Sequence, residues 1–134
     1  MIRKFRDIGP KIHPTAFIAD NAVIMGDVEI GEESSVWFGS IVRGDVNYIR
    51  IGARTNIQDL TVIHVTSKTH PTILEDEITV GRQVTLHGCY VEHNCLIGIG
   101  AAPFSSRLRS ASHALPGRIW ARQQPGKVYA STLP

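Results

Sequence analysis

The sequence predicts an all-β fold, a parallel β-helix of hexapeptide repeats, and two features of the chain lead to that prediction. Aliphatic residues recur at six-residue steps through most of the chain. The 134 residues also include 12 glycines and 7 prolines, which favour turns over long helices. With three breaks, the series comprises Ile12, Ile18, Ile24, Ile30, Val36, Val42, Ile51, Ile57, Ile63, Leu74, Val80, Leu86, Val91 and Ile97.

A period of six matches neither the 3.6-residue turn of an α-helix nor the two-residue alternation of a hairpin sheet. It is typical of short parallel strands joined by tight corners, with three flat faces to each turn of a prism. The aliphatic residues then fill the axis, and each coil pairs its backbone with the next, about 4.8 Å away. An all-β sandwich is the alternative, but the sequence lacks the two-residue hairpin signals that a sandwich requires.

Smaller residues mark the corners of the prism. Four positions after most of the aliphatic residues comes a second small or apolar residue, which we expect to fit a corner. Glycine directly follows the aliphatic residue at Gly31, Gly52, Gly81 and Gly98, where a bend needs a positive φ or close backbone approach. The expected corner residues are Ala16, Ala22, Val28, Ser34, Ser40, Val46, Thr55, Thr61, Val84 and Cys95.

The repeat divides the chain into two parts. Residues 1–101 form the predicted β-helix domain, and 102–134 form a divergent C-terminal tail. After Ile97 the six-residue step lands on Pro103 and Arg109, so the sequence predicts that the pattern is lost there. The change of composition indicates a reading-frame slip or a divergent end. A partly disordered tail would leave the last coil without a cap.

Composition excludes several classes of function. Lys and Arg number 14 against 12 Asp and Glu, a net charge of +2, which is unlike the basic balance of nucleic-acid-binding domains. No apolar run reaches the roughly 20 residues of a membrane-spanning helix. Cys89 and Cys95 are too few for a disulfide framework and suit a reducing compartment. We therefore expect a cytoplasmic protein that binds neither nucleic acid nor membrane.

Counting the faces of the prism brings polar residues into two columns. Arg43, His64 and His87 each follow a third-face aliphatic residue, so they are predicted to stack on one outer face, one coil apart. Two imidazoles about 4.8 Å apart at the backbone can share one ion, because metal–nitrogen bonds are about 2.0–2.1 Å long. On the second face, Asp59 and Arg82 are also one coil apart.

The same residues have purely structural explanations. A stacked histidine pair on such a face is more often a surface or interface feature than a metal site. Asp45 in the turn RGDVN is also typical of an Asx turn. Asp59 and Arg82 are consistent with a partly exposed ion pair worth about 1 kcal/mol or less.

Three stretches carry more specific motifs, namely VWFGSIVRGDVNYIRIGARTNIQDLTVIHV, HPTILEDEITVG and LHGCYVEHNCLIGIGA. Together they resemble the gamma-class carbonic anhydrases and their bacterial hexapeptide-repeat relatives, over about residues 10–101. The resemblance implies a left-handed β-helix, a homotrimer, and a metal held at each subunit boundary by three histidines. It also implies conversion of CO2 to bicarbonate, with zinc as the cofactor and iron or cobalt as alternatives.

The resemblance also implies roles for single residues. His64 in DLTVIHV and His87 in LHGC match two metal ligands. Arg82 in VGR occupies the place of the third histidine, which an adjacent subunit normally receives, and a guanidinium has no lone pair for a metal. Arg43 and Asp45 of RGD match residues that form ion pairs across the trimer boundary and help to position the site.

Gln58 and Asp59 of NIQD match polar residues of the active-site pocket, where Gln58 would orient water or substrate. Three functions follow from these residues. The first, which we expect, is a carbonic-anhydrase-like lyase in which metal hydroxide hydrates CO2. The second is a catalytically impaired, metal-poor scaffold, which Arg82 favours. The third is a hexapeptide-repeat acyltransferase with a histidine general base, and the RGD, NIQD and histidine set favours the lyase over it.

Overall fold

A computed structural model describes residues 1–109 and 119–121 of the chain. These residues form short strands in two sheets, and no helix among them is long and apolar enough to cross a membrane. The strands are β1 (Ile2–Arg3), β2 (Lys11–Ile12), β3 (Phe17–Ile18), β4 (Val23–Ile30), β5 (Ser35–Val36), β6 (Ile41–Ile51), β7 (Asn56–Ile57), β8 (Val62–His64), β9 (Thr72–Leu74), β10 (Thr79–Val80), β11 (Thr85–His87), β12 (Tyr90–Val91), β13 (Cys95–Ile97), β14 (Arg107–Leu108) and β15 (Ile119–Ala121).

The strands line three faces of a parallel β-helix. The first face contains β2, β9, β12 and β14 with the ends of β4 and β6, and the second contains β3, β5, β7, β10 and β13. The third contains β1, β8 and β11 with the starts of β4 and β6. All of these strands pair in parallel, whereas β15 pairs with β13 in the antiparallel direction. The predicted parallel β-helix is confirmed.

The aliphatic residues of the six-residue series point inward and form the core. Equivalent residues of successive coils lie in register, as Val42 with Ile63 and Ile63 with Leu86 show. Because every coil places one aliphatic residue per face on the axis, the core is a continuous apolar column rather than a single cluster. Its fully buried large members include Ile24, Val36, Val42, Ile57, Ile63, Leu74, Leu86 and Ile97.

Most of the predicted corner residues are buried, but the prediction for Val46 is wrong. Val46 is 48% exposed, and Ile49, which is fully buried, lies beside Val28 in its place. The coil contains three additional residues between Val42 and Ile51. The additional residues come before the corner. The corner residue is therefore found two positions before the next aliphatic residue, as Ile49 is before Ile51, and not four positions after Val42.

The glycines after the aliphatic residues permit close approach of successive coils. A Cβ atom on Gly31 would lie only 2.7 Å from the carbonyl carbon of Gly52, so a side chain there would force the coils apart. Positive φ values occur two residues later, at Glu33 (53°) and Arg54 (50°). Of the two explanations offered for these glycines, close backbone approach is therefore the correct one at Gly31.

As far as Leu108, the predicted loss of the pattern after Ile97 is wrong. Pro103, six residues on, is buried, and β14 places the largely buried Leu108 beside Val91 of the preceding coil. The step from Pro103 to Leu108 is five residues, as is the step from Leu86 to Val91. The coil thus continues in a shortened form. The domain boundary at 101 stays a prediction, and the remaining tail positions, 110–118 and 122–134, lie outside the described residues.

We expect Ile63→Ala to lower the free energy of unfolding by about 2–5 kcal/mol, because it opens a cavity in the core where no solvent enters. Ile8→Ala removes the same atoms from a side chain that is 54% exposed, and we expect a change within about 0.5 kcal/mol. Urea denaturation followed by circular dichroism measures both. Equal losses in the two variants would contradict the inward position of Ile63.

Candidate functional site

The irregular steps of the repeat fall at one corner of the prism, between the third and first faces. The step from Val42 to Ile51 is three residues longer than six, and the step from Ile63 to Leu74 is five longer. The step after Leu86 is one residue shorter. The polar column of Arg43, His64 and His87 begins at this corner, where the chain leaves the regular coil.

His64 and His87 lie side by side on the third face. They are paired residues of the adjacent parallel strands β8 and β11, and their ring centroids are 5.1 Å apart, with the ring planes at 69°. Val42 pairs with Ile63, so Arg43 follows on the coil before His64. The predicted column is therefore present, and its two imidazoles are close enough for joint contact with one ion.

Asp45 holds the His64 ring from one side. Its Oδ1 atom lies 2.8 Å from Nε2 of His64 and also accepts a hydrogen bond from the Val46 amide. The Arg43 Nε atom is 3.5 Å from the other carboxylate oxygen. Burial raises the pKa of Asp45, but the hydrogen bonds from His64 and Val46 and the charge of Arg43 outweigh burial, so the pKa lies below its usual value. Asp45 is therefore an ionised partner of His64 at neutral pH.

His87 is affected by burial and by its charged neighbours. Burial, and then the proximity of His64 and Arg43, lowers the pKa of the His87 imidazole. The ring is accordingly neutral at pH 7, which is the form that binds metals. Within residues 1–109, neither ring nitrogen of His87 has a hydrogen-bond partner, in contrast to His64.

The backbone around the pair is held by a second set of hydrogen bonds. The Thr72 hydroxyl donates to the His64 carbonyl at 2.6 Å and accepts from the Gly88 amide at 3.0 Å. Asn47 donates from Nδ2 to the Thr66 carbonyl at 3.0 Å. The Thr72 contacts tie the second insertion to the strands that carry the histidines, and the Asn47 contact ties the first insertion to the second. Hexapeptide counting did not identify Thr72 or Asn47, because both residues lie in the interrupted steps.

Gln58, Asp59 and Arg82 form a separate group around the corner between the second and third faces. Asp59 and Arg82 are one coil apart, as predicted, with 3.6 Å between Oδ2 and Nε. The Gln58 carbonyl accepts a hydrogen bond from the Ser40 hydroxyl. Among the described residues, none of these three side chains has a hydrogen bond or ion pair to His64 or His87. In one chain, four predicted site residues therefore lie together, and Gln58, Asp59 and Arg82 lie apart from them. The four are Arg43, Asp45, His64 and His87.

Phe104 is a neighbour of the site that the sequence analysis missed. Its ring stacks on His87 at a centroid distance of 5.0 Å, with the planes at 18°. Phe104 falls in the part of the chain where the repeat was predicted to be lost. One feature of the sequence indicated this position: residue 104 directly follows Pro103, an inward residue of the six-residue series, as His87 directly follows Leu86.

One chain provides two neighbouring side chains that can ligate a metal ion, His64 and His87. Within the described part of the chain, no group of three or more His, Cys, Asp or Glu side chains is placed to hold a metal. Catalytic zinc usually has three protein ligands. His64 and His87 are suitable nitrogen donors, but a third protein ligand would have to come from outside the described residues.

Comparison with known proteins agrees with this fold and with these motifs. The bacterial transferase hexapeptide family, with six repeats, matches residues 9–44. A crystal structure of a hexapeptide transferase family protein from Anaplasma phagocytophilum has a TM-score of 0.70 and 31% identity, and it covers 80% of this chain and 74% of that one. The chain belongs to the hexapeptide-repeat family.

Some relatives within the family are named carbonic anhydrases and others transferases. The chain is 50% identical over 101 residues to a carbonic anhydrase of Geobacillus kaustophilus, covering 75% of this chain and 55% of the relative. It is 46% identical over 100 residues to gamma carbonic anhydrase 1 of Arabidopsis thaliana, covering 71% and 36%. It is 54% identical over 94 residues to the uncharacterized transferase YtoA of Bacillus subtilis, covering 70% and 54%.

The resemblance to the gamma-class carbonic anhydrases and their hexapeptide-repeat relatives is thus confirmed at the level of the family. The chain spans between 36% and 55% of the length of these three curated relatives.

We expect Asp45→Asn to lower the free energy of unfolding by about 1–3 kcal/mol at pH 7, because a charge-assisted hydrogen bond is lost. A carboxyl with a lowered folded-state pKa stabilises the fold above its unfolded pKa, and this contribution is lost as pH falls through the folded-state pKa. The difference between wild type and variant should therefore shrink in acid. Urea titrations at several pH values measure it, and a constant difference would contradict the ionised pair.

Proposed function

We propose that the protein is a carbonic-anhydrase-like lyase of the gamma class, which hydrates CO2 to bicarbonate at a site shared between copies of the chain. One observation supports the proposal above the others: His64 and His87 converge on adjacent strands, and Asp45 fixes the first of them. Relatives named carbonic anhydrases share about half of their aligned residues with this chain. The free thiols of Cys89 and Cys95 agree with a cytoplasmic location.

The proposal gives each residue of the column a distinct role. His64 and His87 would hold zinc, with iron or cobalt as alternatives, and the bound ion supplies Lewis acidity that makes water nucleophilic near neutral pH. Asp45 orients the His64 ring, as carboxylate partners of ligating histidines do. Arg43, next to Asp45, balances its charge and faces the boundary between subunits.

The roles of Gln58 and Asp59 depend on assembly. Both lie on the neighbouring corner in one chain, away from the histidine pair, so they would meet the site only where a second copy packs against the third face. Gln58 then orients CO2 through its side-chain amide, and Asp59 provides a polar wall to the pocket. These positions come from the resemblance in the motif NIQD.

Exposed apolar side chains near the third face support a homotrimer. Ile41 and Val62 are paired on its outer surface and are 39% and 37% exposed. Leu60 and Phe38, on the adjoining corner, are more exposed still. Since a contiguous apolar surface of this kind is unfavourable in water, we propose that neighbouring copies cover it and complete the site at each boundary.

We expect the wild-type chain to sediment as a trimer and Val62→Lys to shift it towards monomer, because a charge would be buried in the boundary. Ile8→Lys, at an exposed position outside the third face, should leave the trimer intact. Sedimentation velocity measures all three proteins. A wild-type monomer, or an equal effect of both variants, would contradict the proposed boundary.

Arg82 supports a second candidate, a metal-poor scaffold. The resemblance places Arg82 where the family has a histidine from the adjacent subunit, and its guanidinium cannot ligate a metal. The ion pair with Asp59, at 3.6 Å, gives this arginine a structural alternative. Both side chains are more than a third exposed, so the pair itself contributes little to stability. In the lyase, Arg82 would weaken metal binding without removing the other two ligands.

We expect Arg82→His to increase bound Zn²⁺ towards one ion per chain and to tighten its affinity by at least about tenfold. Loss of an outer partner of a metal ligand alone costs about 10- to 100-fold in affinity, and a ligand contributes no less than its outer partner. The variant should also hydrate CO2 faster. Metal analysis by mass spectrometry and stopped-flow CO2 hydration, with added Zn²⁺, measure both effects.

Arg54→His is the matched control, because Arg54 is also a corner arginine paired with carboxylates, at Glu32 and Glu77. It should bind no additional Zn²⁺. If Arg82→His also gains no metal, the missing-ligand explanation is wrong. If wild type hydrates no CO2 even with saturating Zn²⁺, the scaffold replaces the lyase, and acyl transfer by wild type would instead favour the transferase relatives.

A further inference from the structure

Phe104 occupies the next rung of the histidine column. The His87 amide donates to the Pro103 carbonyl at 3.2 Å, and the Ser105 amide donates to the His87 carbonyl at 2.9 Å. These two hydrogen bonds bracket Phe104 and form a parallel bridge between it and His87. The backbone therefore places Phe104 beside His87 on the next coil, where the two rings stack at a centroid distance of 5.0 Å.

The two histidines are held in different ways. Asp45 anchors His64 by a hydrogen bond of 2.8 Å, whereas in residues 1–109 no hydrogen bond reaches either nitrogen of His87. Within the described residues, two ring contacts flank the His87 imidazole: the edge contact with His64 on one side and the stacked Phe104 on the other. Removing the stacked ring would leave the imidazole free to turn about its side-chain bonds.

We propose that Phe104 is a positioning residue, which holds the His87 imidazole in the orientation that it presents to His64 and so sets the affinity of the pair for a divalent cation. The second half of this proposal rests on the proposed metal-dependent function, and the first half does not. Phe104 is 65% exposed, so shortening its side chain opens no internal cavity and should preserve the fold.

The first test measures the ring directly. Protons that lie over the face of an aromatic ring are shielded, so the His87 ring protons should resonate upfield of their usual positions in wild type. Phe104→Ala should move them downfield, whereas Phe104→Tyr, which keeps the ring, should preserve the wild-type shifts. Assignment follows from the signals lost in His87→Gln. Unchanged His87 shifts in Phe104→Ala would overturn the stacking role.

The second test uses Zn²⁺ alone as the probe and a competing chelator to measure its affinity. We expect Phe104→Ala to bind Zn²⁺ about two- to tenfold more weakly, the range that corresponds to the loss of one aromatic pair. Phe104→Tyr should bind as wild type does. Phe17→Ala is the matched control, because it removes an exposed aromatic ring that packs on Trp37 instead of His87.

The outcomes separate this proposal from the proposed function. Equal Zn²⁺ affinity of Phe104→Ala and wild type, or an equal loss in Phe17→Ala, overturns the positioning role. If wild type binds no Zn²⁺ at all, the metal-dependent function fails together with the claim about affinity. The His87 shifts then decide whether Phe104 orients the ring.

Discussion

The in-register stacking of parallel coils is the constraint on which the rest of the structure depends. Backbone hydrogen bonds hold successive coils about 4.8 Å apart, so each position of a coil lies beside its equivalents above and below. Inward positions become apolar columns, as with Ile63 and Leu86, and outward positions become columns of polar groups. The neighbouring His64 and His87 therefore result from the backbone register, and a one-residue slip would move both imidazoles to the inner side.

The insertions at the corner between the third and first faces provide the polar contacts of the histidine pair. The groups that contact the His64 side chain and backbone lie in the two insertions rather than in the regular six-residue steps. The additional residues after Val42 bring Asp45 within hydrogen-bonding distance of His64. The additional residues after Ile63 form a loop that returns at Thr72, whose hydroxyl bridges the two histidine strands. The solenoid thus supplies rigid spacing, and the insertions supply the groups that orient the side chains.

The charged residues of the proposed site form two separate ion pairs in one chain. In one chain Arg43 is near Asp45 and Arg82 is near Asp59, so each arginine has a carboxylate neighbour. Neither Arg43 nor Arg82 donates a hydrogen bond to His64 or His87 within the described residues. Assembly would bring the second corner of one copy towards the third face of another, where a cation and a metal ion compete for the same space. In the proposed assembly, metal binding would therefore compete with the ion pair between Asp59 and Arg82.

The sequence by itself determined the coil, the inward columns and the pairing of His64 with His87, because a fixed period decides which positions become neighbours. It also indicated the family, through motifs that span most of the described residues. Only the tertiary structure decided the rest: Ile49 in the corner in place of Val46, the coil that continues to Leu108, and Phe104 over His87. These features lie where steps are longer or shorter than six residues. There the periodic rule no longer assigns a face, and the contacts that each coil makes with the next one determine the position of the chain.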